Sequence, residues 1–175
     1  PIKGVLRNWF WVFFANLAGS VLIAILIFFS GLATGPVGAN ALKIAAAKMS
    51  LPMGQAFFRG ILCNWLVVLA VWMSMAATDI VGKIFAIFFP IMAFVASGFE
   101  HNVANMYFMA IGIFLKGNEA VVSAAELAPD KLAAVTWGGY WHNLIPVTLG
   151  NMVGGILFVA VFYFLVFRHN LEQMD

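Results

Sequence analysis

The chain has 175 residues, 64% of them hydrophobic and 9% charged, with a formal net charge of +2 at pH 7 and a mean hydropathy of +1.01. A water-soluble domain carries roughly a quarter of its residues as charges, so this composition excludes one and points to an all-α integral membrane protein. The small net charge gives no ground for a nucleic-acid partner, and a single cysteine, Cys63, excludes an internal disulfide or a cysteine-rich metal site.

In chain order, the first expected span is Trp9 to Gly31, which holds no charged residue. About 20 apolar residues at roughly 1.5 Å each cross a hydrocarbon core of about 30 Å, so one helix suffices. The stretch VGANALKIAAAKMSLP follows, and its lysines and alanines suit a short interfacial helix. A second span begins near Phe57 and runs through the uncharged Gly60 to Thr78, with Arg59 near enough to its end to snorkel toward the interface. The third uncharged run, Ile84 to Leu115, would measure about 48 Å as one helix, too long for the core unless it tilts, protrudes or breaks. A polar loop is expected over Lys116 to Asn143, and a fourth span over Leu144 to Phe167, ended by Arg168.

The third run is expected to break. Its middle carries Ser97, Gly98, Glu100, His101, Asn102 and Asn105, and each half is then about 15 residues. Irregular backbone at membrane depth survives only where protein buries it or water lines it, and paired half-helices often build transporter sites. Ionisable residues at that depth are functional by default, which singles out Glu100 and His101; the competing reading is a buried polar pair that caps two half-helices.

An internal repeat supports transport. Asn8, Asn16, Gly19 and Leu22 match Asn143, Asn151, Gly154 and Leu157 at a constant offset of 135, so the first and fourth spans are one element used twice. If that element closes each repeat, the second copy comprises spans two to four and the first shows only its last span. Two spans, one of them broken, are then expected before Pro1, giving six in all with the copies inverted. The 175 residues are thus expected to form a single transmembrane channel domain that lacks its first two spans.

GILCNWLVVLAVWMS, FVASGFEHNVANMYF and NLIPVTLGNMVGG closely resemble, in order and spacing, the three signature stretches of the formate/nitrite transporter family. The resemblance implies a six-helix, aquaporin-like inverted-repeat channel assembled as a homopentamer, each protomer with its own pore, of which this chain supplies helices three to six. It implies His101 as the central pore histidine, Glu100 as its neighbour in the discontinuous helix, and Phe94 as the bulky residue of the periplasmic constriction. Asn64 and Val67 match pore-facing positions, Asn151 the asparagine near the histidine, and Lys48 the lysine of the outer vestibule. The substrates implied are formate and related small monovalent weak-acid anions together with protons, crossing a bacterial or archaeal plasma membrane with both termini cytoplasmic. Nitrite or hydrosulfide is the alternative substrate within the family, and Phe99 before the Glu inclines the reading toward formate. No cofactor or metal is expected.

Chemically, an anion in a dry constriction costs at least several kcal/mol, and a proton removes most of that cost. A histidine attracts the anion while charged and can donate the proton. The structural alternatives are interhelical hydrogen-bonding for Asn64 and Asn151, helix packing for Gly150 and Gly154, lipid-facing or core burial for Phe94, and a solvated interfacial charge for Lys48. Enzyme catalysis is not expected, since no HExxH, GxSxG or paired carboxylates fall in a span. A non-transporting four-span adaptor would explain the polar residues as packing, but not the repeat.

Overall fold

The computed structural model describes residues 2–171, with side chains described for 2–168, and these residues contain no strand. Among the described residues nine α-helices follow in order: α1 (Ile2–Phe29), α2 (Gly35–Met49), α3 (Met53–Ala76), α4 (Ile80–Ala96), α5 (Asn102–Leu115), α6 (Glu119–Ala125), α7 (Pro129–Ala133), α8 (Trp137–Gly155) and α9 (Phe162–Leu171), the last two joined by a π-helical stretch, Ile156–Val161. Three continuous segments among the described residues are long and apolar enough to cross a membrane: Ile2–Phe29, Met53–Ala76 and Trp137–Arg168, with mean hydropathies of 2.5, 1.8 and 2.2. The third uncharged run is interrupted as expected: it holds α4 and α5 as separate helices, with Ser97–His101 between them in sequence.

Polar side chains fix several helix ends. Asp79 caps α4 by accepting from the Gly82 N–H at 2.8 Å, and Asn118 caps α6 by accepting from the Val121 N–H at 3.2 Å. That second cap helps turn the expected polar loop into helix, since α6, α7 and the first turns of α8 all lie within residues 116 to 143. The bend from α5 to α6 is 117°.

The chain divides into two compact units. The first comprises Pro1–Pro52 and Asn102–Leu144, where α5 packs on α1 and α2, and α2 also packs on α6. The expected short helix forms as α2, and one face of it belongs to the core of this unit: it buries Gly38, Ala39, Leu42, Ala45, Ala46 and Met49. Their helical spacing makes one apolar stripe, which outweighs the lysines on the remaining surface. A Cβ on Gly112 of α5 would collide with the Ala45 side chain, so glycine sets how closely these two helices approach. Deep in this unit the Asn105 amide donates to the Asn143 side-chain oxygen at 2.8 Å, and Asn143 donates to the Lys48 carbonyl at 2.9 Å. Tyr140, fully buried, donates to the Met106 carbonyl at 3.1 Å. Lipid tails are as apolar as leucine, so such bonds and close backbone packing hold membrane helices together where a hydrophobic driving force cannot.

The second unit comprises Met53–His101 and Ile145–Asp175. Here α3 packs on α4 and turns Ala56, Gly60, Cys63 and Ala70 inward, a small-residue stripe at helical spacing. Gly150 and Gly154 of α8 meet it: added Cβ atoms would collide with the carbonyls of Phe57 and Ile61. This is the close crossing expected of a GxxxG pair. Farther along, Trp65 stacks on Phe158 in the π-helical stretch, ring centroids 4.8 Å apart.

Candidate functional site

The site is built on the segment that ends α4. Backbone bonds run from the Phe99 N–H to the Phe94 carbonyl and from the Gly98 N–H to the Val95 carbonyl, each 3.1 Å, with Gly98 at φ +66°. This is the Schellman arrangement, in which the residue after the cap adopts the left-handed conformation that glycine enters without a Cβ penalty. Gly98 therefore stops the helix, and the next peptide must find hydrogen bonds elsewhere.

It finds them on α3 and α8. The Glu100 N–H donates to the Arg59 carbonyl at 3.3 Å, and the Glu100 carbonyl accepts from Asn151 Nδ2 at 2.9 Å. The same Asn151 nitrogen donates to the Gly60 carbonyl at 2.9 Å. Asn64 Nδ2 in turn donates to the Asn151 main-chain oxygen at 2.7 Å. Thus Glu100, 4% exposed, is clamped at both ends of its backbone, and Asn151, also 4% exposed, is the fastener. Gly60 permits this approach: a Cβ there would sit 2.9 Å from the Val147 carbonyl and 3.2 Å from Asn151 Nδ2.

The clamp presents His101. Its ring stacks on Phe94, centroids 5.8 Å apart and planes 26° from parallel. The seven-residue separation in sequence is closed by the turn at Gly98, which brings the side chain after the break back over the last turn of the helix before it. Phe94 is 9% exposed while its helix neighbours Met92 and Val95 are 49% and 64% exposed, so Phe94 is the side chain that α4 buries.

Of the candidate residues, Phe94, Glu100, His101, Asn64 and Asn151 come together in this unit. Val67 lies one turn beyond Asn64 on α3 and is half-buried. Lys48 belongs to the other unit, in the last turn of α2, half-buried, with its carbonyl bonded to Asn143. The amide nitrogens of Asn64 and Asn151 are both engaged with backbone carbonyls, as the hydrogen-bonding alternative expects. Sequence reasoning missed the carbonyls of Arg59 and Gly60 as the anchors of the break, because main-chain acceptors leave no trace in residue identity. It also missed the Asn105–Asn143 pair, although Asn143 was visible as the repeat partner of Asn8. Among the described residues no group of three or more His, Cys, Asp or Glu side chains is placed to hold a metal ion.

Known proteins share this chain's sequence and shape. The sequence profile of the family described as Formate/nitrite transporter matches residues 1–165. A probable formate transporter of Methanothermobacter thermautotrophicus is 46% identical over 93% of the chain and 59% of its own length. The nitrite transporter NirC of Salmonella typhimurium strain LT2 is 39% identical over 85% of the chain and 50% of its own length. A solved structure described as a pentameric formate channel with formate bound superposes with a TM-score of 0.85 at 36% identity, over 94% of this chain and 67% of that one. The chain thus spans between half and three fifths of the length of these curated relatives. With a profile match over nearly all of its residues, close relatives and a fold shared with a solved channel, the chain belongs to the formate/nitrite transporter family.

Proposed function

We propose that the protein containing this chain passes formate and related small monovalent weak-acid anions across the cell membrane, with His101 supplying charge and proton. The observation that carries the reading is the Phe94–His101 stack: an ionisable ring held against an aromatic wall at a break in a membrane-depth run. Phe94 excludes water, which raises the cost of a bare anion; the imidazolium draws the anion in, and proton donation lowers its desolvation cost. Lys48 concentrates anions at the entrance. Glu100 orients the break through its clamped peptide, and Asn64 and Asn151 hold that peptide. Two further spans, one broken, complete the first repeat, and five protomers assemble with separate pores in a bacterial or archaeal plasma membrane. The solved relative described as pentameric and formate-bound supports substrate and assembly alike. Nitrite is the second reading, favoured by a nitrite transporter as close as 39% identity, and a pore that discriminates mainly by charge and size accepts both.

Reconstitution of the intact protein in liposomes tests this. Formate flux that exceeds glycerol and potassium flux is the expected result; glycerol or potassium flux without formate flux overturns it.

A further inference from the structure

One hydroxyl of the second unit takes no part in the clamp around the break. Thr148 lies on α8, three residues before Asn151; its Oγ1 is buried, and no described residue forms a hydrogen bond with it. Hydroxyls on helices ordinarily settle this locally, by donating to a carbonyl three or four residues earlier. Others in this chain do so: Ser30 donates to the Ile27 carbonyl at 2.8 Å, Ser74 to the Val71 carbonyl at 2.7 Å and Ser50 to the Ala47 carbonyl at 3.4 Å. Thr148 does not. A buried polar group without a partner costs free energy, so its retention needs a reason.

Its position supplies one. Residues 148, 151 and 155 share a face of α8, at i, i+3 and i+7. The other two members of that face meet the clamp: Asn151 donates to the Glu100 carbonyl at 2.9 Å, and a Cβ on Gly155 would sit 2.9 Å from Asn64 Nδ2. Three helical residues rise about 4.5 Å, so Thr148 stands just under one turn from the side chain that grips the peptide before His101.

The chemistry of a hydroxyl also differs from that of its neighbours. The amide nitrogens of Asn64 and Asn151 are engaged with main-chain carbonyls. A hydroxyl has one donor and two acceptor lone pairs on a rotor. It can donate to the oxygen of a carboxylate drawn in by His101. Once the imidazolium has given that carboxylate its proton, the same hydroxyl can accept from the O–H of the acid so formed, which an amide nitrogen cannot. The residue as a whole is half-buried, and threonine in a helix divides between two χ1 rotamers, so a turn about Cα–Cβ moves the oxygen from its covered side.

We propose that Thr148 is a further solute-contacting residue of the pore, whose hydroxyl bonds the weak-acid anion beside His101 and then the neutral acid. The inference rests on the functional reading above and adds a residue to it.

Melting and flux, measured together on the intact protein, test it. Thr148→Val keeps the branched shape and removes the hydroxyl. It should melt about 2–4 °C above the parent, because an unpaired buried polar group is gone. In liposomes its half-saturating formate concentration should rise about tenfold, the factor for one hydrogen bond to a charged group. Thr148→Ser should bring that concentration back toward the parent's. A threonine with a purely structural role behaves in the opposite way, with a lower melting temperature for valine and an unchanged half-saturating concentration; either result would overturn the proposal. So would a serine variant that matches valine, since the effect would then belong to the methyl group. A parent that passes no formate removes the functional reading and this inference with it. A parent that passes formate, with valine equal to it, removes this inference alone.

Discussion

Replacing Asn151 with leucine keeps the side chain's size and removes both donors that hold the break. In the parent, Asn151 Nδ2 bonds the carbonyls of Gly60 and Glu100, each at 2.9 Å. Gly60 lies within α3, where its carbonyl already serves the helix ladder, so the loss there is the smaller one, about 0.6 kcal/mol for an interhelical bond in a membrane protein. Glu100 lies outside both flanking helices and is 4% exposed, so weakening its carbonyl's hydrogen bonding costs about 1–2 kcal/mol. The sum, roughly 2 kcal/mol, corresponds to about 4–8 °C in melting temperature for a domain of this size. Thermal unfolding of purified protein in detergent, followed by tryptophan fluorescence, measures it. Asn151→Asp should be worse than Asn151→Leu, because it sets a carboxylate against two carbonyls. If Asn151→Leu melts within a degree of the parent while Asn151→Asp also stays folded, the amide is not the fastener of the break and the account of the site fails.

His101→Asn should assemble normally and lose proton-linked formate uptake, leaving a flux that varies less between about pH 5 and 8, where an ordinary imidazole titrates; liposome uptake across that range checks it, and an unchanged pH profile would assign the ring a purely packing role. Gly98→Val forces a β-branched residue into the left-handed region and should cost about 1–2 kcal/mol or more, with Gly98→Asn milder; comparing their melting temperatures reads the strain, and equal values would refute the turn assignment. Asn143→Leu and Asn105→Leu should each destabilise, while the double substitution should recover about 0.5–1 kcal/mol of the summed loss, measurable as a coupling energy from the four melting curves.

The third run was readable as broken because two properties of the sequence coincide there: it is too long for one straight crossing, and its middle holds glycine beside ionisable residues. The repeat was readable too, since Asn16 and Gly19 recur as Asn151 and Gly154, and a membrane helix that must approach another closely has few residue types to choose from. The expected spans fell on α1, α3 and the segment from α8 through α9, because an uncharged run of sufficient length has no cheaper place than the bilayer.

Tertiary structure decided the rest. The VGANALKIAAAKMSLP stretch reads as a short interfacial helix, and only its partners in the fold show that Leu42 and Met49 belong to a core. The residues from Lys116 to Asn143 look like loop because short helices such as α6 and α7 draw their stability from caps and neighbours more than from propensity. Above all, identity alone could not distinguish an asparagine facing a pore from one gripping a backbone carbonyl. The Asn151 amide and the Asn16 amide are the same group at equivalent helical positions; one holds Gly60 and Glu100 and the other its own helix, because hydrogen bonds are formed with whichever main-chain acceptors the surrounding helices bring within 3 Å.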